Sequence, residues 1–375
     1  MSVVSSSVSA ALCDDCSEIR FDPAWLSDHG PRQRRNVKSV RRNKHCAFCR
    51  LLARAMFEEQ QRGEHRFVNN ASALWEWSDH VGPSGGFWLM DSFWSRTSIC
   101  FGVPPTPTEP LNRAYSLLSR RPPVISADRV KGWIELCVKG HGVECGGEID
   151  DETRQSRRNS RQLSVRITRV FPGLETLRMI DVERMCLVEL EVLEAYVCLS
   201  YVWGSTAALR LTRANLELLM EEKSLLRVKK HIPTTVVETI HFCSKIGQRY
   251  LWVDALCLIQ NDPRDVKLGI EVMDLIYERA DFTIIAASGD NAKAGLPGVS
   301  EGTRMPSKPL FEVAPNVQLG IHIGLEQHLA ASIYRTRAWT SVSLKPNTTL
   351  REAHVLTCMH IGFRKRVYQD GFYVL

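Results

Sequence analysis

A chain of 375 residues with 44% hydrophobic content is long enough for about two domains and has the apolar content of an ordinary globular protein. Its net charge of +6 is small for that length, so nucleic acid is not the expected partner class. No window holds the roughly 18 uninterrupted apolar residues of a membrane span, and residues 1–12 lack the regions of a secretory signal, so an intracellular, cytoplasmic protein is expected.

The first chemical feature in chain order is a pair of short motifs, Cys13-x-x-Cys16 and Cys46-x-x-Cys49. Two such pairs can supply four thiolates to one tetrahedral zinc, because each reaches from a tight turn. The separation, residues 17 to 45, is longer than that of common zinc motifs, and His45 offers another ligand. The competing expectation is that Cys46 and Cys49 lie on a helix from His45 to Phe57 and pack inward. Between the pairs runs a basic stretch, Arg32, Arg34, Arg35, Lys38, Arg41, Arg42 and Lys44, which reads as a solvated loop or as a phosphate contact. No aromatic residues alternate with it to form a stacking platform for bases.

Residues 61–125 are rich in Trp, Gly, Pro and Ser, without clear periodicity. From Gly140 to Arg161 the chain is polar, with Gly146-Gly147 and then Arg154, Arg157, Arg158 and Arg161, the composition of a linker. The expected organisation is an irregular, cysteine-containing accessory region over 1–139, a polar linker and lead-in over 140–189, a regular domain over 190–340 and a tail over 341–375.

In the regular domain, residues 195–202 predict a strand, 214–228 a helix and 233–246 a second helix. In that second helix Val236, Ile240, Cys243 and Ile246 form an apolar face and Gly247 is the stop. A strand is expected over 249–259, then a helix from Asp262-Pro263 to about Arg279, then a short buried strand Phe282 to Ala287. Strand, helices, strand, helix, strand is the pattern of an α/β layer with a largely parallel sheet flanked by helices. Cys198, Cys243 and Cys257 fall inside these apolar segments and read as small core residues.

Within this layer Asp254 interrupts an apolar run, Tyr250 to Ile259, and a carboxylate there needs a partner. In parallel sheets, ligands collect beyond the carboxyl ends of the strands, which places Trp203, Gly204, Ser205, Gln260 and Asp262 at a candidate binding site, with Asp254 slightly deeper. Asp254 reads as a contact to a ligand or transition state, or as a structural acid bonded to amides or an arginine. Trp203 reads as a base-stacking surface or as core. Ser200, Tyr201 and Ser205 have no paired histidine to make one of them a nucleophile. His241 beside Cys243 reads as a helical surface histidine rather than half of a catalytic pair.

Three blocks carry a family resemblance: Tyr196 to Gly204; Tyr250 to Asp262 with Met273, Ile276, Tyr277 and Ala280; and Ala286-Ala-Ser288 through Gly295-Leu-Pro-Gly298. Together with Ile232-Pro-Thr-Thr235 and Ile240 they resemble the fungal heterokaryon-incompatibility (HET) domain. The family usually has aspartate where this chain has Glu238. A further family block begins as Arg337-Ala-Trp-Thr340 and then departs from the pattern at Ser341-Val342-Ser343, where an amide and a carboxylate are expected. Residues 341–375 are therefore expected to be an aberrant or truncated tail.

The resemblance implies an α/β, distantly TIR-like fold and a part in non-self recognition, innate defence and programmed cell death. Some TIR domains hydrolyse NAD, so the resemblance implies a nucleotide ligand with NAD as substrate; in such an enzyme Asp254 is expected to be the catalytic residue acting electrostatically on the sugar and Trp203 the base contact. Two other functions stand beside it. One is a non-enzymatic module that self-associates or binds another protein; the other is a zinc-dependent nucleic-acid binder built on the amino-terminal half.

Overall fold

The computed structural model describes residues 12–22, 25–26, 28, 32–61, 72–78, 86–90, 97–102, 123–141, 165–205, 207–304, 309–315, 317–322, 332–336 and 373–374. The chain forms two compact units. The first joins residues 1–121 to residues 306–331, and the second joins 122–305 to 332–375. The polar stretch 142–164 lies outside the described residues.

The first unit is a helix-covered antiparallel sheet. With strands numbered in chain order, its six run β1 (Arg32–Asn36), β2 (Ser72–Ser78), β3 (Gly86–Met90), β4 (Thr97–Gly102), β11 (Val317–His322) and β10 (Phe311–Ala314), in that spatial order. Every neighbouring pair is antiparallel. Its helices are α1 (Asp14–Ser17), α2 (Val37–Arg42) and α3 (Ala47–Gln61). Asn36 starts α2, its side chain accepting from the Lys38 amide at 2.9 Å. In α3, Phe48, Leu51, Leu52, Ala55 and Met56 recur at helical spacing, are all fully buried, and share one core with Phe87, Ile99, Val313, Leu319 and Ile321. Phe48 packs on Phe21 and Phe87 at ring separations of 5.2 and 5.5 Å.

The expectation of an irregular amino-terminal region is thus corrected. Its short strands pair partly with β10 and β11, which arrive some 200 residues later, so no local pattern announces them. The helix expected from His45 to Phe57 runs instead from Ala47 to Gln61.

The second unit is the α/β layer. Its helices are α4 (Ala127–His141), α5 (Thr234–Ile246), α6 (Asp254–Cys257), α7 (Pro263–Glu271) and α8 (Met273–Arg279). Its strands are β5 (Leu177–Asp181), β6 (Cys186–Leu190), β7 (Tyr196–Tyr201), β8 (Tyr250–Trp252), β9 (Phe282–Ala286) and β12 (Tyr373–Val374). They lie in the order β12-β9-β7-β8-β5-β6. Here too the sequence expectation needs correction: the sheet is mixed. Only β7 with β8 and β7 with β9 are parallel, while β5 with β8, β5 with β6 and β12 with β9 are antiparallel. The parallel trio arises because helical crossovers carry the chain from β7 to β8 and from β8 to β9; the β5–β6 hairpin then adds antiparallel strands at the edge.

Three predicted elements are shorter than their patterns suggest. The helix expected over 214–228 is two turns, Leu216–Met220 and Ser224–Arg227, broken at Lys223 with φ of 61°. There the amides of Lys223 and Leu225 donate to the carbonyls of Arg184 and Met185 in the β5–β6 turn, which replaces helical bonding with tertiary bonding. The strand expected over 249–259 ends at Trp252, and Asp254 begins α6. The helix expected from Asp262 is interrupted at Val272, which separates α7 from α8.

Candidate functional site

Since β7, β8 and β9 are parallel, their carboxyl ends lie on one edge, and Trp203, Asp254 and Ser288 follow them there. Asp254 is half-buried, in the first turn of α6, rather than enclosed in the apolar interior. Its Oδ1 accepts the indole N–H of Trp203 at 3.1 Å and the amide of Ala255 at 2.7 Å. The Arg210 guanidinium lies 4.8 Å over the Trp203 ring, so one indole face meets a cation. Gln260 turns inward, donating to the carbonyls of Asp254 and Leu258, each at 3.0 Å, and so fixes the α6 turn from behind.

Gly204 is exposed and has φ of 64°; a Cβ there would stand 2.6 Å from the Asn291 Cβ, so both the backbone and the space select glycine. Ser205 is exposed. Asp262 caps α7 through the Arg264 amide at 3.1 Å and pairs with Arg213 at 2.7 Å, and hydrogen bonds from Arg213 hold its carboxyl below the usual range. Of the residues singled out from sequence, Asp254 is therefore hydrogen-bonded to both Trp203 and Gln260. Gly204 and Ser205 adjoin them on the chain, and Asp262 is engaged in its own cap and ion pair.

Behind Asp254 stands a set of hydroxyls that the sequence reading did not assemble. Ser200 Oγ and Tyr334 OH lie 2.6 Å apart, and Tyr277 OH donates to the Leu199 carbonyl at 3.4 Å. Burial, and then the charge of Asp254, push the Tyr277 hydroxyl well above the usual phenol range, so it stays protonated. In the sequence Tyr277 is one position of the second resemblance block with no role attached to it, and Tyr334 lies outside every such block. Trp252 is fully buried, edge-on to Tyr277 at 5.5 Å, and its indole N–H has no hydrogen-bond partner among the described residues. Neither other sequence candidate makes a nucleophile: His241 is exposed, and burial pushes the Cys243 thiol up to about 12.

A different acid in the same unit is purely architectural. Glu238 is buried on α5, with one oxygen accepting from the Leu296 amide and the other from Ser300 Oγ, both at 2.5 Å. Beside it Thr235 Oγ1 accepts the Gly295 amide at 3.0 Å. Together they clamp the Gly295-Leu-Pro-Gly298 turn onto the helix. Asp181 acts likewise, taking the Glu183 and Arg184 amides and the Arg249 guanidinium.

In the first unit the four cysteines meet. Cys13, Cys16, Cys46 and Cys49 place their sulfurs within 4.8 Å of one another, and all but Cys13 are buried. Cys49 Sγ stands 3.8 Å from both Cys13 Sγ and Cys16 Sγ. Four thiolates at about 2.3 Å from a tetrahedral zinc lie about 3.8 Å apart, whereas a disulfide needs about 2.05 Å. The donor set therefore fits a tetrahedral, thiophilic metal. Among the thiols, hydrogen bonds with Cys46 and Cys49 push Cys16 up, and hydrogen bonds with Cys16 and Cys49 pull Cys46 down. Exposed His45 is not part of the group.

Residues 196–342 match the family model described as "Heterokaryon incompatibility protein (HET)". No curated protein and no solved structure matches the chain. The matched segment contains the Trp203–Asp254 corner and the Glu238 clamp, and it runs on through β10 and β11 to end at the Ser341-Val342 departure. The match suggests a heterokaryon-incompatibility-type role. Over those residues, less than half of the chain, the protein is similar to the heterokaryon-incompatibility (HET) family, and the segments around Trp203 and Asp254 lie at the carboxyl edge of the parallel trio.

Proposed function

We propose that this protein is the effector of a fungal non-self recognition response leading to programmed cell death, and that its second unit hydrolyses NAD at the Trp203–Asp254 corner. One observation carries the reading: a half-exposed carboxylate is held by an indole N–H at 3.1 Å, at the carboxyl edge of parallel strands. In hydrolysis the ribose–nicotinamide bond breaks with its electron pair leaving on nicotinamide. The cationic sugar is stabilised by Asp254, and water adds to give ADP-ribose and a proton. Ser205, on the same turn, is placed to meet a ribose hydroxyl. Purified full-length protein incubated with NAD is expected to release nicotinamide, and Asp254→Asn to slow that release about 100-fold. Absence of release would reject the enzyme, provided that a HET protein whose Arg-x-Trp-Thr block continues into Gln-Glu is active beside it. Activity in that protein alone would trace the loss to Ser341–Ser343.

A second reading is a self-associating module, supported by the apolar side chains that the two short turns expose, Leu218, Met220 and Leu226. Light scattering would then show an oligomer that Leu226→Glu dissociates.

For the first unit, the four-cysteine cluster is read as a structural zinc site, since four protein ligands leave no open coordination position for catalysis. Metal analysis of the full chain is expected to give one zinc per chain. A folded, metal-free protein would reject the site.

A further inference from the structure

A cavity of about 470 Å³ opens in the second unit between the Ala207–Leu209 segment and the turn leading into α5. Lys230, His231 and Lys293 contribute to its lining, and no acidic residue does. None of these three has an ion-pair partner among the described residues. Its walls are tied by the main chain. The Leu209 amide donates to the His231 carbonyl at 2.9 Å, Thr235 to Ala292 at 3.1 Å, and Ala292 to Trp203 at 3.2 Å. Buried Ile232 backs the turn.

Two ammonium groups lining one concave space with no acid among its lining make it locally positive, and a polyanion is the ligand that such a charge attracts. Lysines bind phosphate oxygens as point charges without demanding one geometry. The volume falls within the range of about 300–1,000 Å³ typical of small-molecule pockets, more than a single simple anion fills.

We infer that this cavity binds the diphosphate group of a small molecule, with Lys230 and Lys293 as the principal contacts. The inference stands on the cavity's own charge and volume, not on cleavage at Asp254. The Ala292–Trp203 bond ties the residue before Lys293 to the Trp203 turn, so a dinucleotide is the ligand class that would reach from one to the other.

Isothermal titration of the full chain with inorganic pyrophosphate and with ADP-ribose tests it, with sulfate as the control for simple anion attraction. Both diphosphates are expected to bind more tightly than sulfate. Lys230→Glu and Lys293→Glu should each weaken them by about tenfold or more, and Asp254→Asn should leave pyrophosphate binding unchanged. Both lysines are exposed, so the variants should keep the wild-type melting curve; Lys230→Gln and Lys293→Gln, with smaller losses, guard against reversal artefacts. Equal binding of sulfate, no binding of either diphosphate, or affinities indifferent to the lysine substitutions would each overturn the inference. Lysine-dependent binding without nicotinamide release would keep this cavity and reject the NAD reaction. Release that the lysine variants leave intact, with no lysine-dependent binding, would do the reverse.

Discussion

The sulfur cluster of the first unit and the Trp203–Asp254 corner of the second are both small polar sets, but they meet solvent differently. Three of the four cysteines are buried and their sulfurs lie within 4.8 Å of one another, a closed arrangement compatible with a metal ion. Asp254 is half-buried at the carboxyl edge of the parallel strands, with the Trp203 indole and the Ala255 amide donating to one of its oxygens. Degree of enclosure therefore distinguishes the two sets, and Glu238, buried with both carboxylate oxygens bonded, makes the same contrast with Asp254 within a single unit.

Breaking the closed set should cost most. Cys46→Ser, or a strong chelator, is expected to unfold the first unit, since a structural zinc site contributes on the order of 10 kcal/mol or more of folding free energy in small metal-dependent domains; loss of zinc followed by a collapsed melting transition checks it. Glu238→Ala should destabilise by about 2–4 kcal/mol, because the Leu296 amide and Ser300 hydroxyl lose a buried acceptor; urea denaturation measures this.

Gly295→Ala should cost about 1–3 kcal/mol, as φ is 74° and a Cβ would approach Glu238 Oε2 to 2.6 Å. Asp254→Asn, by contrast, should change stability by less than about 1 kcal/mol while altering activity. A large loss of stability there would place Asp254 with the architectural acids and erase the comparison. The smallest effect is an absence: Cys243 and Cys257, whose thiols burial pushes up to about 12, should resist iodoacetamide at pH 8 in the native protein and react after denaturation.

Much of the second unit is legible in the sequence because its signals are local. Pro233 and Gly247 bracket α5, Asp262-Pro263 starts α7, and the apolar runs at 196–201 and 282–286 are strands. The run around Asp254 misleads, since apolar residues continue past Trp252 although the backbone has already turned helical, with Leu256 and Cys257 buried on a turn rather than in a ladder. Parallel order was read correctly for the three strands joined by helices and overextended to the edge, where hairpin contacts decide direction. The Ser200–Tyr334 contact and the Arg210–Trp203 stack depend on residues brought together only by folding, and no spacing rule points to them.

β11 binds β4, with Ile321 opposite Ile99. A ribosome must therefore deliver the three parallel strands before the earlier antiparallel sheet can receive its last two, so the first unit cannot complete its sheet while only its amino-terminal part has been made. Excising residues 196–342 as a minimal fragment would carry away those two strands and leave Leu319 and Ile321 without the helix they cover. Recombinant work on this protein should accordingly begin from the intact polypeptide.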